Sequence, residues 1–324
     1  MAATSDFDQI RDLLRSKADF NARLRLIPYE GTPEVKHRGQ GKYLYMRRRV
    51  AGRLTSTYVD VYSEELHQLL LRNAAEAREL RKQIRRIDKS LATLGFAEGD
   101  LDPAVELNLE FARANMKASI YDQAVLEGVA TSFPQTEEII ENGRVSGVAV
   151  ADVQKVLNLK HAWEFVLDRD VLSCPTDFAV LCHVARLVNE GFFDDGGRVR
   201  GVPIAIGGTA YVPPLPQETV IRERLSEIIP SAVQANSDGK AVDIAIELCL
   251  YCMKAQIFLD GNKRTAIIFA NHFLIAHGGG LLVVPEADVP RFKELLIGHY
   301  EGTASDELRA FMRKSCWRKL RDSA

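Results

Sequence analysis

Residues 255–265 read AQIFLDGNKRT, and within them an acid, a Gly-Asn pair and two cations stand between two apolar runs of helical period. The continuation, AIIFANHFLIAHGG, predicts helix, tight turn, helix, with Asp260, Gly261 and Asn262 in the turn. Glycine lets the backbone come close to a ligand, and a helix start presents unpaired N–H groups and the positive end of its dipole. Such a corner suits an anion. Asp260 is placed to hold a divalent cation that bridges phosphates, and Lys263 and Arg264 can neutralise further charge. The same residues also suit an ordinary turn in which Arg264 pairs with a neighbouring acid, so local features leave both readings open.

Working outward, the pattern is mostly helical. PAVELNLEFARANMKASIYDQAVLEG predicts a long helix from Pro103 to about 128, closed by Gly128 and a loop around Pro134. Further helices are expected at about 150–167, 175–190, 217–228, 240–257, 262–277, 287–300 and 304–320. Two stretches break the pattern. RVRGVPIAIGGTAYVPP, residues 198–214, sets branched residues around Gly207-Gly208 and reads as a hairpin. KYLYMRRRVAGRLTSTYVDVY, residues 42–62, reads as a two-stranded ribbon turning at Ala51-Gly52. Ser63 then caps a helix whose apolar stripe, Ala77, Leu80, Ile84, Ile87, Leu91 and Leu94, runs to a stop at Gly95. That stripe suits either an intramolecular seam or a homodimer contact. The expectation is a mainly α chain with two small β insertions, organised as a module at 1–100 and a larger domain at 101–324.

QIFLDGNKRTA resembles the signature loop of the Fic/Doc (Fido) proteins, His-x-Phe-x-Asp/Glu-Gly-Asn-Gly/Lys-Arg, at Phe258, Asp260, Gly261, Asn262, Lys263 and Arg264. The 198–214 ribbon is similar to the family's flap, a β-hairpin that aligns a target segment by strand pairing. The resemblance implies a Fido-type helical bundle over about 103–320. It further implies ATP or another nucleotide with Mg²⁺ bound by Asp260, phosphates cradled by Gly261 and Asn262, and phosphate contacts from Lys263 and Arg264. Phe258 would be a core anchor, and Ile204 and Ile206 would lie on the flap against a target protein. The family chiefly transfers AMP from ATP to a protein hydroxyl. The Doc branch, toxin–antitoxin-like in setting, carries Lys where others have a second Gly and transfers the γ-phosphoryl, and Lys263 leans that way.

Three departures matter. The family's His, its general base, is here Gln256, and an amide has no useful basicity, so the ~10²- to 10⁴-fold contribution of such a base is expected to be lost while binding survives. His272 and His277 lie in and at the end of the following helix and are expected to be packing or surface residues. The second arginine of many Fic proteins is replaced by Ile267. Upstream, QAVLEG at 123–128 resembles the family's inhibitory Ser/Thr-x-x-x-Glu-Gly helix, with Gln123 in place of the hydroxyl residue. With Ile267 in the partner position, Glu127 is left to meet Lys263 or Arg264, or to be a plain helix-end residue. A catalytically inactive, nucleotide-sensing or protein-binding module therefore stands beside the enzyme as an expectation.

The remaining features bound partners and setting. At 324 residues, 46% hydrophobic and 27% charged, with a formal net charge of −2, the chain reads as globular without a global pull toward nucleic acid or anionic lipid. Met1 is followed by Ala-Ala-Thr-Ser-Asp, without a signal-peptide pattern, and no apolar run suits a membrane span, so a cytoplasmic protein is expected. Cys249 and Cys252 form a CxxC inside an apolar helix and read as buried thiols. Between Glu34 and Arg53, seven cations (Lys36, Arg38, Lys42, Arg47, Arg48, Arg49, Arg53) interleave with Tyr43 and Tyr45. Such a ribbon can grip nucleic acid, and it equally suits a solvated hairpin whose Arg stems cover apolar surface.

Overall fold

The computed structural model describes residues 6–143, 145–229 and 239–319. It falls into two units, one up to Ala97 and one from Glu98 onward.

The first unit begins with a helix the sequence reading passed over, α1 (Asp6–Leu26), whose Leu14, Ala18 and Ala22 are buried at i, i+4 spacing. The expected ribbon has three strands rather than two. They are β1 (Thr32–Arg38), β2 (Gly41–Val50) and β3 (Arg53–Val61), antiparallel in that order. The extra strand lies in TPEVKHR, where the apolar alternation is too sparse to signal itself. Between β2 and β3 the backbone turns with positive φ at Ala51 (48°) and Gly52 (79°), the two-residue turn whose twist matches a hairpin. Ser63 Oγ accepts from Leu66 N at 3.2 Å and opens α2 (Glu64–Thr93). Leu44 and Met46 of β2 bury against Leu70 of α2, with Val35, Val59 and Tyr62 around them.

The second unit is built around one helix. It comprises α3 (Pro103–Leu126), α4 (Phe133–Asn142), α5 (Val150–Val166), α6 (Arg169–Leu172), α7 (Phe178–Val188), α8 (Glu218–Ile228), α9 (Lys240–Ala255) and α10 (Asn262–Ala276), then β4 (Leu281–Leu282), α11 (Val289–Glu301) and α12 (Ser305–Phe311). Two expectations are corrected here. The Pro134 segment is helical, because Ser132 and Gln135 form a capping box and proline is tolerated in a first turn. The last helix stops at Phe311, passes through a π-helical turn (Met312–Cys316) and ends in β5 (Trp317–Arg318), which pairs with β4.

Helix α10 is apolar nearly all round, so it is buried on all sides, packed by α3, α5, α7 and α9. Two asparagines clasp the chain that leaves it: Asn271 exchanges hydrogen bonds with the N–H and C=O of Leu282 (2.8 and 2.7 Å), and Asn108 of α3 does the same with Gly280 (2.9 and 3.1 Å). The 256–264 loop is therefore the entrance to a helix buried on all sides.

Candidate functional site

Gln256 ends α9 in the left-handed region, φ 46° and ψ 60°, unusual for a residue with a side chain. Its Nε2 donates to Met253 O at 2.7 Å, which holds the amide back over its own helix. Phe258, 1% exposed, plugs the loop into the core. Asn262 then closes the turn: Oδ1 accepts from Phe258 N at 2.9 Å, while Nδ2 donates to Phe258 O at 2.8 Å and Gln256 Oε1 at 3.2 Å. The Asn262 side chain is thus spent on the shape of the loop, and what it presents to a ligand is its backbone N–H at the first turn of α10. Gly261 has φ 71°, and a Cβ there would lie 2.7 Å from Asn189 Oδ1 and 2.8 Å from Val188 Cγ1, so only glycine fits. Asn189 in turn donates to Asp260 O (3.0 Å) and Gly196 O (3.3 Å), fastening the loop to the end of α7.

The charges of the loop converge on α3. Glu127, the residue that caps α3, stands 3.4 Å from Lys263 Nζ and 3.4 Å from Arg264 Nε. Of the alternatives left open for Glu127, the structure shows the pairing, and with both cations at once. Arg264 is 2% exposed and also reaches Asp260 Oδ2 (3.1 Å) and Val188 O (3.3 Å). The contact with Glu127 is ionic but poorly directed: Arg264 Nε and Glu127 Oε1 are both buried without a hydrogen-bond partner. A buried donor left in this state lowers stability and is satisfied by an incoming acceptor oxygen. Behind the pair, Gln123 Nε2 donates to Arg264 O (2.8 Å) and its Oε1 accepts from Trp163 Nε1 (3.1 Å). Ile267, in the place of the second arginine, is buried in the core.

None of His272, His277 and Tyr300 supplies the base that position 256 lacks. His272 is fully buried, bonded to Thr176 Oγ1 and Val171 O, and burial pushes its pKa down. His277 bonds Phe273 O and packs on that ring. Tyr300 is hydrogen-bonded to Gln256; burial drives its pKa well above the usual tyrosine range, which removes it as a proton acceptor at neutral pH.

Segment 198–214 departs from the expected ribbon. It turns at Gly207-Gly208, but its arms form no strand ladder. Branched residues around a Gly pair suggest a hairpin; Pro203, Pro213 and Pro214 lack the N–H groups that a ladder needs. The arms are held instead by Arg200, 3% exposed, which the sequence reading missed. Its guanidinium donates to Gln256 O (2.6 Å), Val202 O (2.8 Å) and Pro214 O (2.6 Å), and its N–H donates to Ile257 O (3.0 Å). The available signal was a cation at the mouth of an apolar, proline-rich stretch, where only carbonyls are at hand. Ile204 and Ile206 are half-buried on this segment, and Tyr211 stacks on Tyr300 at 6.0 Å.

Asp260 is more than half exposed and engages Arg264 through one oxygen, so the other is free for a hard cation that shares phosphate oxygens. Lys263, the N-terminal N–H groups of α10 and the unsatisfied Arg264 Nε form a donor set suited to phosphate. Elsewhere, Cys249 and Cys252 are free, buried thiols whose pKa values burial pushes up.

This arrangement, a helix-capped anion loop fed by a buried arginine, belongs to a known class. Residues 175–274 match the family model described as Fic/DOC family, so the loop lies within a Fic-like stretch of the chain. Residues 7–68 match a second model, described as a domain of unknown function (DUF6788). Two relatives are each called protein adenylyltransferase Fic. The one from Drosophila willistoni is 24% identical over 233 residues, 70% of this chain and 45% of that protein. The one from Drosophila grimshawi is 24% identical over 232 residues, 70% of this chain and 46% of that protein. The chain thus spans about half the length of the curated relatives it matches. A Fic-domain-containing signaling protein from Bacteroides thetaiotaomicron shares the fold, with a TM-score of 0.51, 16% identity, and coverage of 66% of this chain and 85% of that one.

Proposed function

We propose that the loop from Gln256 to Arg264 binds the phosphates of a nucleotide, ATP in the first instance, with Mg²⁺ at Asp260. The chain is then a Fic-like protein that moves AMP or phosphate to a hydroxyl of a target protein, with the family's base missing. The observation that carries this reading is the buried Arg264, whose Nε–H lacks an acceptor beside the N-terminus of α10. In AMP transfer the hydroxyl oxygen would bond to the α-phosphorus, pyrophosphate would leave, and the proton would pass to water, since Gln256 cannot take it. A second reading, a protein that binds nucleotide without transfer, is favoured by that same amide. A target segment would lie along 202–211 with Ile204 and Ile206, supported by backbone without a ladder partner among the described residues and by the exposed Val202 and Val212.

The test is calorimetry of ATP and ADP with and without Mg²⁺. Binding should be Mg²⁺-assisted, weakened by Asp260→Ala and Lys263→Ala, and most weakened by Arg264→Ala. If the folded wild-type chain binds no common nucleotide at millimolar concentration, the reading is wrong. Labelling of a target from radiolabelled ATP separates the transfer reading from the binding-only one.

A further inference from the structure

The N-terminal unit contains a cavity that the Fic-type site does not use. Arg47, Arg48 and Arg49 from the end of β2 line it together with Arg78, Arg81 and Arg85 of α2, around about 540 Å³ open to solvent. Glu30 is the one acid in that wall, so six positive charges against one negative leave +5. Glu30 is engaged by Arg81 and stands 3.9 Å from Arg48. Among the described residues, Arg47, Arg49, Arg78 and Arg85 have no carboxylate within 4.0 Å. Four uncompensated guanidiniums around one hollow repel each other, and an anion placed there removes the repulsion. Arg78, Arg81 and Arg85 follow i, i+3, i+7 spacing and so share one face of α2, over about 10 Å along its axis. That is a track for more than one phosphate.

A second observation narrows the ligand. By the two-residue period of a strand, Tyr43, Tyr45, Arg47 and Arg49 lie on the same face of β2. Tyr58 of β3, half exposed, stands 5.6 Å from Tyr45 and 6.4 Å from Tyr43, and Lys36 Nζ lies 4.5 Å over the Tyr45 ring. Leu44 and Met46, alternating with Tyr43 and Tyr45 along β2, pack on Leu70, so the rings occupy the sheet face opposite α2, and a strand would pass from them to the cavity around the end of β2 by way of Arg47 and Arg49. A duplex keeps its base faces stacked inside, and a free polyphosphate or a lipid headgroup has no ring to place on Tyr58. Cations along a backbone track beside exposed rings are what an unpaired strand requires. We propose that the N-terminal unit binds single-stranded nucleic acid, with phosphates in the cavity between Arg47–Arg49 and Arg78–Arg85 and bases against Tyr58 and Tyr45.

The test is fluorescence anisotropy on the full chain with labelled single strands of about 12 nucleotides, one RNA and one DNA, against a duplex of the same sequence. Single-strand affinity should fall with salt at a log–log slope of about −0.7 per phosphate neutralised. Arg78→Gln with Arg85→Gln should weaken binding at least about tenfold and reduce the slope by about 1.4. Both positions are exposed and unpaired, and glutamine is a good helix former, so α2 is retained, as circular dichroism would verify. Tyr58→Ala should weaken binding about fivefold or more with the slope unchanged, and Tyr58→Phe should restore it. The RNA and DNA arms identify which strand is preferred. The proposal is overturned if neither single strand binds the folded chain at about 50 mM salt. It is equally overturned if the duplex, tripolyphosphate or phosphatidylserine vesicles compete as well as the single strand while Tyr58→Ala has no effect.

Discussion

Arg200 donates from Nε to the carbonyl oxygen of Gln256 over 2.6 Å, so the residue that opens the 201–214 segment also fixes the backbone of the residue that opens the signature loop. Lysine lacks the planar fork that lets one side chain reach carbonyls of residues 202, 214 and 256 in different directions. Arg200→Lys and Arg200→Ala should each lower stability by about 2–4 kcal/mol, since buried carbonyls lose a charged donor. Hydrogen exchange and limited proteolysis should show the loosening first between 201 and 216. Unchanged protection there in a destabilised variant would mean that Arg200 supports the core and not the segment.

Glu127 competes with any phosphate for Lys263 and Arg264. Glu127→Gln should therefore tighten nucleotide binding by about tenfold, the order of one close charge pair, as read by calorimetry in the same buffer as wild type. Affinity that stays the same would show that phosphate reaches the loop without displacing the carboxylate.

Gln256→His returns the base that the Fic signature carries. The left-handed backbone at 256 does not oppose it, because histidine is among the side chains enriched in that region. Labelling of self or target from ATP should rise, by up to the ~10²- to 10⁴-fold that a positioned base contributes. Wild type and Gln256→Ala are compared on the same lysate, each verified to bind nucleotide. Efficient labelling by wild type that Gln256→His does not exceed would point to a different catalytic group.

At Gly261 a methyl group meets both a disfavoured left-handed torsion and atoms at 2.7 and 2.8 Å. Gly261→Ala should cost about 2–3 kcal/mol, a fall of several degrees in Tm for a unit of this size. The contact with Asn189 is part of this, so Asn189→Gly should recover some of the loss. No recovery would assign the whole effect to the torsion and Val188.

Burial lowers the pKa of His272, and its folded state therefore favours the neutral ring. The stability this contributes is present above the unfolded value of about 6.5 and is lost as pH falls below it, because the unfolded chain then takes up the proton first. Replacing it by Asn or Gln should flatten the decline in Tm between about pH 7 and 5. A decline as steep as wild type would place the acid sensitivity in other groups.

Many of the helices in both units were legible because they announce themselves by period and by punctuation: Ser63, Gly95, Gly128 and Gly261 all stand where chain direction changes. The loop was legible because Asp260, Gly261 and Arg264 are local. What escaped is non-local or locally ambiguous. Pro134 marks a break by itself and a helix start only once Ser132 and Gln135 are seen to cap it. The 198–214 segment has the composition of a strand, but its hydrogen bonds go to Arg200. The inward turn of the Asn262 amide depends on Phe258 and Gln256 being packed around it, a relation that no spacing encodes. The arginine cavity joins residues 47–49 with residues 78–85, which belong to different elements.

The hydrogen bond from Gln123 to the carbonyl of Arg264, backed by Trp163, fixes the tempo at which the loop can be opened. Because the end of α3 and the start of α10 are joined by a buried amide, Glu127 cannot leave its cations by a drift of the whole helix without breaking that bond. What remains free is the carboxylate's own side-chain rotation out of its two ion pairs, whereas displacement of packed helices belongs to microseconds and longer. An incoming phosphate would meet a gate made of one side chain, so it would exchange with the carboxylate at its cations without a movement of helices, and occupancy of the loop would be governed by their equilibrium competition.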